Sequence, residues 1–305
     1  MLRSNNRTLW LGVGLGLLLG NGCLQPTLRG PGALLSSNLT EQGAPTSGDA
    51  AALTSGDAAA LTSDESFSLT RGQLLFHTNF YLPPTHPLIE DVVALRTDVF
   101  RTLRCEPGTE PIHVYLYRSP QDLARIVQQT GDPILQRRAY FLQTPDALHV
   151  YASWTYDIGT DLRHELTHGY LHSVQPRIPL WLDEGLAEYF EVARTESGRH
   201  ADHLAHLAAL HRAGQLNLEL ERLEQVSDPA KFEQTDYAAS WLWVSWLLSR
   251  PDTTTALAEY FAALPSDASS APPLSAKLNN LGSDHQRLIR EYLEQRITNA
   301  PSLTR

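Results

Sequence analysis

Several residue types are scarce in this chain of 305 residues, and each shortage narrows what it can be. There are two cysteines, Cys23 and Cys105, so a disulfide scaffold is excluded, and a modified Cys23 would leave Cys105 without a partner. Lysine occurs only at Lys231 and Lys277, which reads as compositional bias, with arginine carrying the remaining positive charge. Acidic residues number 34 against 24 basic ones, a formal net charge of −10. No basic stripe is present to neutralise phosphates, which argues against nucleic acid as a partner. Residues 24–66 contain no aromatic residue, and the apolar run at 9–20 is too short to span a bilayer comfortably.

That short run does have a reading. Arg3 and Arg7 precede it, and together they read as an export signal over residues 1–22. Gly20-Asn21-Gly22-Cys23 resembles a bacterial lipoprotein cleavage site, although the expected leucine stands one position early, at Leu19. The resemblance implies lipidation of Cys23 and a membrane-anchored protein of the cell envelope, with plain secretion as the alternative. Residues 23–66 form a tether rich in Gly, Ala, Ser and Thr, in which Ser47-Gly-Asp-Ala-Ala-Ala-Leu-Thr54 recurs unchanged at positions 55–62. Such a segment buries too little apolar surface to offset the entropy of ordering, so it is expected to be disordered.

The folded part, 67–300, is long enough for one core or two lobes. Residues 73–80 read as a strand, 88–104 as an amphipathic helix, 112–117 as a strand, and 119–129 as a helix. Strands follow at 138–142 and 147–152. The remainder reads as helical, at 199–213, 237–249 and 284–298, with a polar, proline-rich loop at 265–273. This is an α+β arrangement: an α/β lobe over 67–156, then a helical lobe over 157–300.

The chain is organised around Asp161-Leu-Arg-His-Glu-Leu-Thr-His-Gly-Tyr-Leu-His172, with Thr160 or Asp161 as the expected helix cap. His164 and His168 are four apart, so on a helix both imidazoles reach one ion. Two neutral imidazoles suit zinc, and a catalytic zinc takes a third protein ligand while keeping one position open for water. Glu165 stands beside that water as general base. A second helix is expected to start at Pro179, and on it Glu184 and Glu188 share a face by the same four-residue rule. Carboxylates on an otherwise apolar helix are costly to bury unless they meet a cation. Glu184 is the natural third ligand, and Glu188 a carboxylate placed to accept the free N–H of a ligating histidine. His172 lies about 12 Å along the axis from His164 and is a poor ligand, expected as a partly exposed residue or a substrate contact.

Trp181-Leu-Asp-Glu184-Gly-Leu-Ala-Glu-Tyr189, following His164-Glu-x-x-His168, resembles the gluzincin metallopeptidases. The resemblance covers about residues 161–192. Fifteen residues separate His168 from Glu184, which is similar to poorly characterised bacterial gluzincin-like proteins rather than the aminopeptidase branch. A Gly-x-Met-Glu-Asn-type anchor for a free N-terminus is also absent. The metzincin pattern fails, because Leu171 and Val174 stand where it needs Gly and His. The resemblance implies a zincin-like fold whose last strand, Leu148–Ser153, is an edge along the cleft that pairs with an extended peptide; an ordinary core hairpin is the alternative. It also implies a Tyr or His that donates to the developing oxyanion, for which Tyr237 is the candidate; packing among the tryptophans is the alternative.

His200, His203 and His206 tempt one to a second metal site, but no carboxylate partner is evident, so a solvated helix is expected. The sequence therefore implies one zinc ion, peptide-bond hydrolysis and a peptide or protein substrate. Rival readings are a zinc-stabilised binding module without catalysis, and a zinc amidase acting on cell wall.

Overall fold

A computed structural model of the chain describes residues 66–130, 138–265, 272–280 and 284–299. The expected export signal, Cys23, the expected tether and most of the loop at 265–273 lie outside the described residues. Phe67–Arg71 (β1) and Leu74–Thr78 (β2) form an antiparallel hairpin, and Pro87–Leu103 (α1) leads to Ile112–Tyr117 (β3). Pro120–Thr130 (α2) precedes Ala139–Gln143 (β4) and Leu148–Ser153 (β5). The sheet order is β1-β2-β3-β5-β4, with β2, β3 and β5 parallel and the two outer strands antiparallel to their neighbours.

The alternation that predicted the strands also builds the two faces of the sheet, because successive side chains point to opposite sides. On β3, Ile112, Val114 and Leu116 join Leu74, Phe76, Val150 and Phe141 in the main core. The other face carries Tyr115, Tyr117, Tyr140, Leu142 and Tyr151, covered by Leu123 of α2. Three histidines continue this second face: His77 Nε2 lies 3.1 Å from His113 Nδ1, and the His113 and His149 rings stack at 5.5 Å.

The strand expected at 73–80 is β2, and a strand that was not expected, β1, precedes it and pairs with it as a hairpin. A second correction bears on function. β5 is an interior strand, paired with both β3 and β4, and the edge is β4. The physical reason is that 138–143 returns antiparallel beside β5 and takes up its second row of backbone groups.

The helical lobe follows with Ile158–His172 (α3), Leu180–Glu191 (α4), Ala201–Arg212 (α5), Leu220–Gln225 (α6) and Gln234–Leu247 (α7). Pro251–Ala262 (α8), Leu274–Asn279 (α9) and His285–Thr298 (α10) complete it. This α+β architecture agrees with the sequence reading. Sequence reasoning passed over α6, α8 and α9. In α8 the run Thr253-Thr-Thr255 has poor helix propensity, yet the Thr253 and Thr254 hydroxyls both donate to Leu247 O at the end of α7. The helix carrying His164 and His168 begins before the expected cap, with Asp157 at the N-cap and Asp161 inside the first turn. Both carboxylates pair with Arg138 beside β4, which ties the edge strand to the start of α3. Among the described residues, no helix is long and apolar enough to cross a membrane.

The centre of this lobe is α7, apolar on every side and buried from Asp236 to Leu247. Two of its tryptophans keep their indole N–H groups satisfied on backbone carbonyls, Trp241 on Gly198 and Trp243 on Leu218, each at 2.9 Å. α4 lies close against it. A Cβ at Gly185 would stand 2.7 Å from Ser240 O and 2.9 Å from Val244 Cγ2, so only glycine permits this approach.

Two outcomes are expected from this packing. Gly185→Ala should destabilise the fold by about 1–3 kcal/mol through forced separation of α4 and α7, measured by denaturant unfolding. The second concerns acid. Burial, and then the neighbouring His113 and His77, push His149 down to about 4. A histidine lowered in the folded state binds fewer protons than the unfolded chain, so its contribution is complete above pH about 6.5 and is lost as pH falls towards 4. The thermal midpoint of His149→Phe should therefore fall less steeply than that of wild type across this window; equal slopes would contradict the assignment.

Candidate metal centre

The site is built on α3 and α4, packed against each other beneath β4. α3 carries His164, Glu165, His168 and His172, and each of these is buried. α4 contributes Asp183, Glu184, Glu188 and Glu191. Arg163 locks the two helices together, donating from Nε to Glu191 O at 2.5 Å and from Nη1 to Asp91 of α1 at 2.8 Å. The Phe141 ring of β4 lies 6.0 Å from that of His168 and 5.2 Å from that of His172, which places the edge strand over the histidines.

Three atoms converge. His164 Nε2 and His168 Nε2 are 3.3 Å apart, and Glu184 Oε2 stands 3.6 Å from the first and 3.7 Å from the second. A tetrahedral ion with bonds near 2.0–2.1 Å separates its ligands by about 3.3 Å, so this triangle is close to the size such an ion requires. The opposite ring nitrogens are already engaged. His164 Nδ1 bonds Glu191 Oε2 at 2.8 Å, and His168 Nδ1 bonds Asp183 Oδ1 at 2.9 Å. Carboxylate partners hold the proton on Nδ1 of a neutral ring and turn the Nε2 lone pair inwards. Two such lone pairs and a carboxylate oxygen facing one another repel until a cation sits between them.

The electrostatics carry the same message. Burial alone would depress His168, but Asp183 and Glu184 outweigh it and raise it to about 9. For His164, burial likewise acts downwards and is overcome by Glu184 and Glu191, leaving the group well above its ordinary value. Asp183 is buried, which acts upwards, yet His168 and His172 hold it well below the usual carboxylate range. The pocket thus holds an excess of negative charge that attracts protons when no metal is bound. His164, His168 and Glu184 can hold a metal ion.

The structure brings the expected ligands together and redistributes the roles around them. Glu188 does not receive the N–H of either ligating histidine. It bonds His203 Nε2 at 2.7 Å, because Asp183 and Glu191 occupy the positions beside the two imidazoles. Burial first, and Glu191 second, raise Glu188 well above its ordinary value. His172 is buried rather than partly exposed, and its Nε2 shares Asp183 with His168, meeting Oδ2 at 2.9 Å. The expectation of a solvated histidine helix also fails: His203 is buried on Glu188, and His200 Nε2 meets Glu191 Oε1 at 2.7 Å. The missing carboxylates come from α4, not from the helix bearing the histidines. Only His206 points elsewhere, to Thr235 Oγ1 at 3.1 Å. Tyr237 is buried, with its ring edge-on to Phe232 at 4.7 Å.

Asp183 and Glu191 are the residues sequence reasoning missed, while His200 and His203 were noticed but assigned to solvent. One signal was present: Glu184, Glu188 and Glu191 stand at i, i+4 and i+7, a single stripe along α4.

Over residues 158–275, less than half of the chain, the sequence matches a family model described as a protein of unknown function (DUF1570). The match opens on the first residue of α3 and runs through α4 and α7 into α9, so it takes in the whole convergent triangle. No curated protein matches the chain.

Metal addition tests the site directly. With zinc, cobalt(II) and manganese(II) tried in turn, the ion that fits should stabilise metal-free full chain by about 2.7 kcal/mol at a free concentration 100-fold above its Kd. The accompanying rise in thermal midpoint should vanish in His164→Ala and in Glu184→Ala.

Proposed function

We propose that the chain is a zinc-dependent peptidase of gluzincin type. The observation that carries this reading is the convergence of His164 Nε2, His168 Nε2 and Glu184 Oε2 within 3.7 Å, with Glu165 adjacent on the same helix. Two imidazole nitrogens and one carboxylate oxygen suit zinc, and three protein ligands leave a position for water and substrate. When bound, zinc polarises the scissile carbonyl and lowers the pKa of water.

The chain's own residues do the rest. Glu165 takes the proton of the attacking water and delivers it to the departing amine, so one carboxylate serves as base and then as acid. Glu191 and Asp183 keep His164 and His168 turned inwards through Nδ1. Tyr237 is the candidate donor to the oxyanion, from the helix packed against α4. An extended peptide adds to the sheet along β4, the edge strand whose Phe141 lies over His168. An enzyme of this kind, exported and held at the membrane through a lipid on Cys23, acts on peptides or proteins in the cell envelope.

The test is a matched pair of measurements on full chain and on Glu165→Gln. Wild type is expected to bind one zinc per chain and to hydrolyse casein or short peptides. Glu165→Gln should keep the zinc and lose about 10²–10⁴-fold in kcat. Retained hydrolysis in that variant would sink the mechanism. Zinc binding with no turnover of any peptide would favour the binding-module reading, and release of peptidoglycan peptides would favour the amidase.

A further inference from the structure

Glu191, the last residue of α4, has both carboxylate oxygens engaged. Oε2 receives His164 Nδ1 at 2.8 Å, and Oε1 receives His200 Nε2 at 2.7 Å. His200 is itself fixed by the backbone. It is the N-cap of α5, and its Nδ1 accepts the His203 N–H at 3.3 Å. A ring nitrogen that accepts carries no proton, so in the neutral ring the proton sits on Nε2 and points at Glu191. The same logic continues inwards: Glu191 keeps the His164 proton on Nδ1 and frees Nε2 for the ion. The backbone at the start of α5 thereby reaches the metal centre through two side chains, His200 and Glu191.

The neighbouring atoms of Glu188, His200 and His203 lie within 4.8 Å of one another, close enough to suggest an ion of their own. Their bonding argues otherwise. His203 Nε2 and Glu188 Oε2 are 2.7 Å apart, a hydrogen-bond length well under the roughly 3.3 Å that separates ligands on a tetrahedral ion, and His200 Nε2, 3.6 Å from Glu188 Oε2, is engaged instead by Glu191 Oε1 at 2.7 Å. An ion on His200 Nε2 would also move the ring proton to Nδ1, against the His203 N–H, and undo the cap.

We propose that His200 is a positioning residue for the metal centre: by capping α5 it orients Glu191, and through Glu191 it fixes the tautomer and ring direction of His164. The inference rests on the reading of His164, His168 and Glu184 as metal ligands. It adds that affinity for the ion depends on a helix cap outside the two ligand-bearing helices.

His200→Asn separates capping from positioning, since Asn is a good N-cap but is too short to reach Glu191. Full chain is stripped of metal and titrated with zinc against a chromophoric chelator. His200→Asn should bind zinc about 10–100-fold more weakly while the metal-free thermal midpoint is retained. Glu191→Gln should also weaken binding, and the double variant should be no weaker than Glu191→Gln alone, because His200 then has nothing to act through. A merely structural role for His200 would lower the midpoint and leave zinc affinity unchanged. Unchanged affinity in His200→Asn, or additive losses in the double variant, overturns the proposal. Two zinc ions per wild-type chain, one of them lost in His200→Asn, overturns it in favour of a second ion on Glu188, His200 and His203. A wild-type chain that binds no zinc removes the metal-site reading and this inference together.

Discussion

Five carboxylates, those of Glu165, Asp183, Glu184, Glu188 and Glu191, are drawn largely out of water where α3, α4 and the start of α5 meet. Charges in so small a volume of low dielectric repel strongly unless each is answered. Imidazoles answer three of them at hydrogen-bond distance: Asp183 lies between His168 and His172, Glu191 between His164 and His200, and Glu188 against His203. Glu184 is different. It faces His164 and His168 at 3.6 and 3.7 Å, beyond hydrogen-bond length but right for a shared ion. Hydrogen bonds fix the periphery of the network, and its centre, where Glu184 faces two imidazole nitrogens, can hold a cation.

Such a cluster tolerates little movement, and the surrounding packing supplies the rigidity. Gly169 brings α3 against Ile112 of the sheet, where an added Cβ would meet that side chain at 3.2 Å. Gly185 does the same for α4 against α7, one residue after Glu184. Arg163, one residue before the first histidine ligand, binds the carbonyl end of α4 and Asp91 of α1 together. Both α3 and α4 are therefore pinned within one residue of His164, His168 or Glu184. An error of an ångström in any of these contacts would be passed directly to the metal-facing atoms.

Much of the site was legible because it depends on local periodicity. His164 and His168 are one helical turn apart, and Glu184 stands out as a carboxylate in an apolar helix; both statements follow from spacing within single elements. The partners of those ligands were hidden for the opposite reason. Asp183 reaches His168, and His200 reaches Glu191, across helix–helix contacts that no periodicity encodes. The four-residue rule pointed to Glu188, which shares Glu184's face but turns to His203. The strands were legible for the same local reason, by alternation, whereas their order was not. Placing β4 outside β5 depends on how the chain returns after α2.

The sheet order also sets a direction for the molecule. β1 and β4 are its two opposite edges, so the point where the described chain enters the sheet is separated from the strand above the histidines by β2, β3 and β5. At about 4.8 Å per strand spacing, that is roughly 19 Å across the sheet. Whatever precedes Phe67 therefore joins the fold at the strand farthest from β4. A surface, bead or fusion partner attached through the N-terminus would grip the molecule by its far edge.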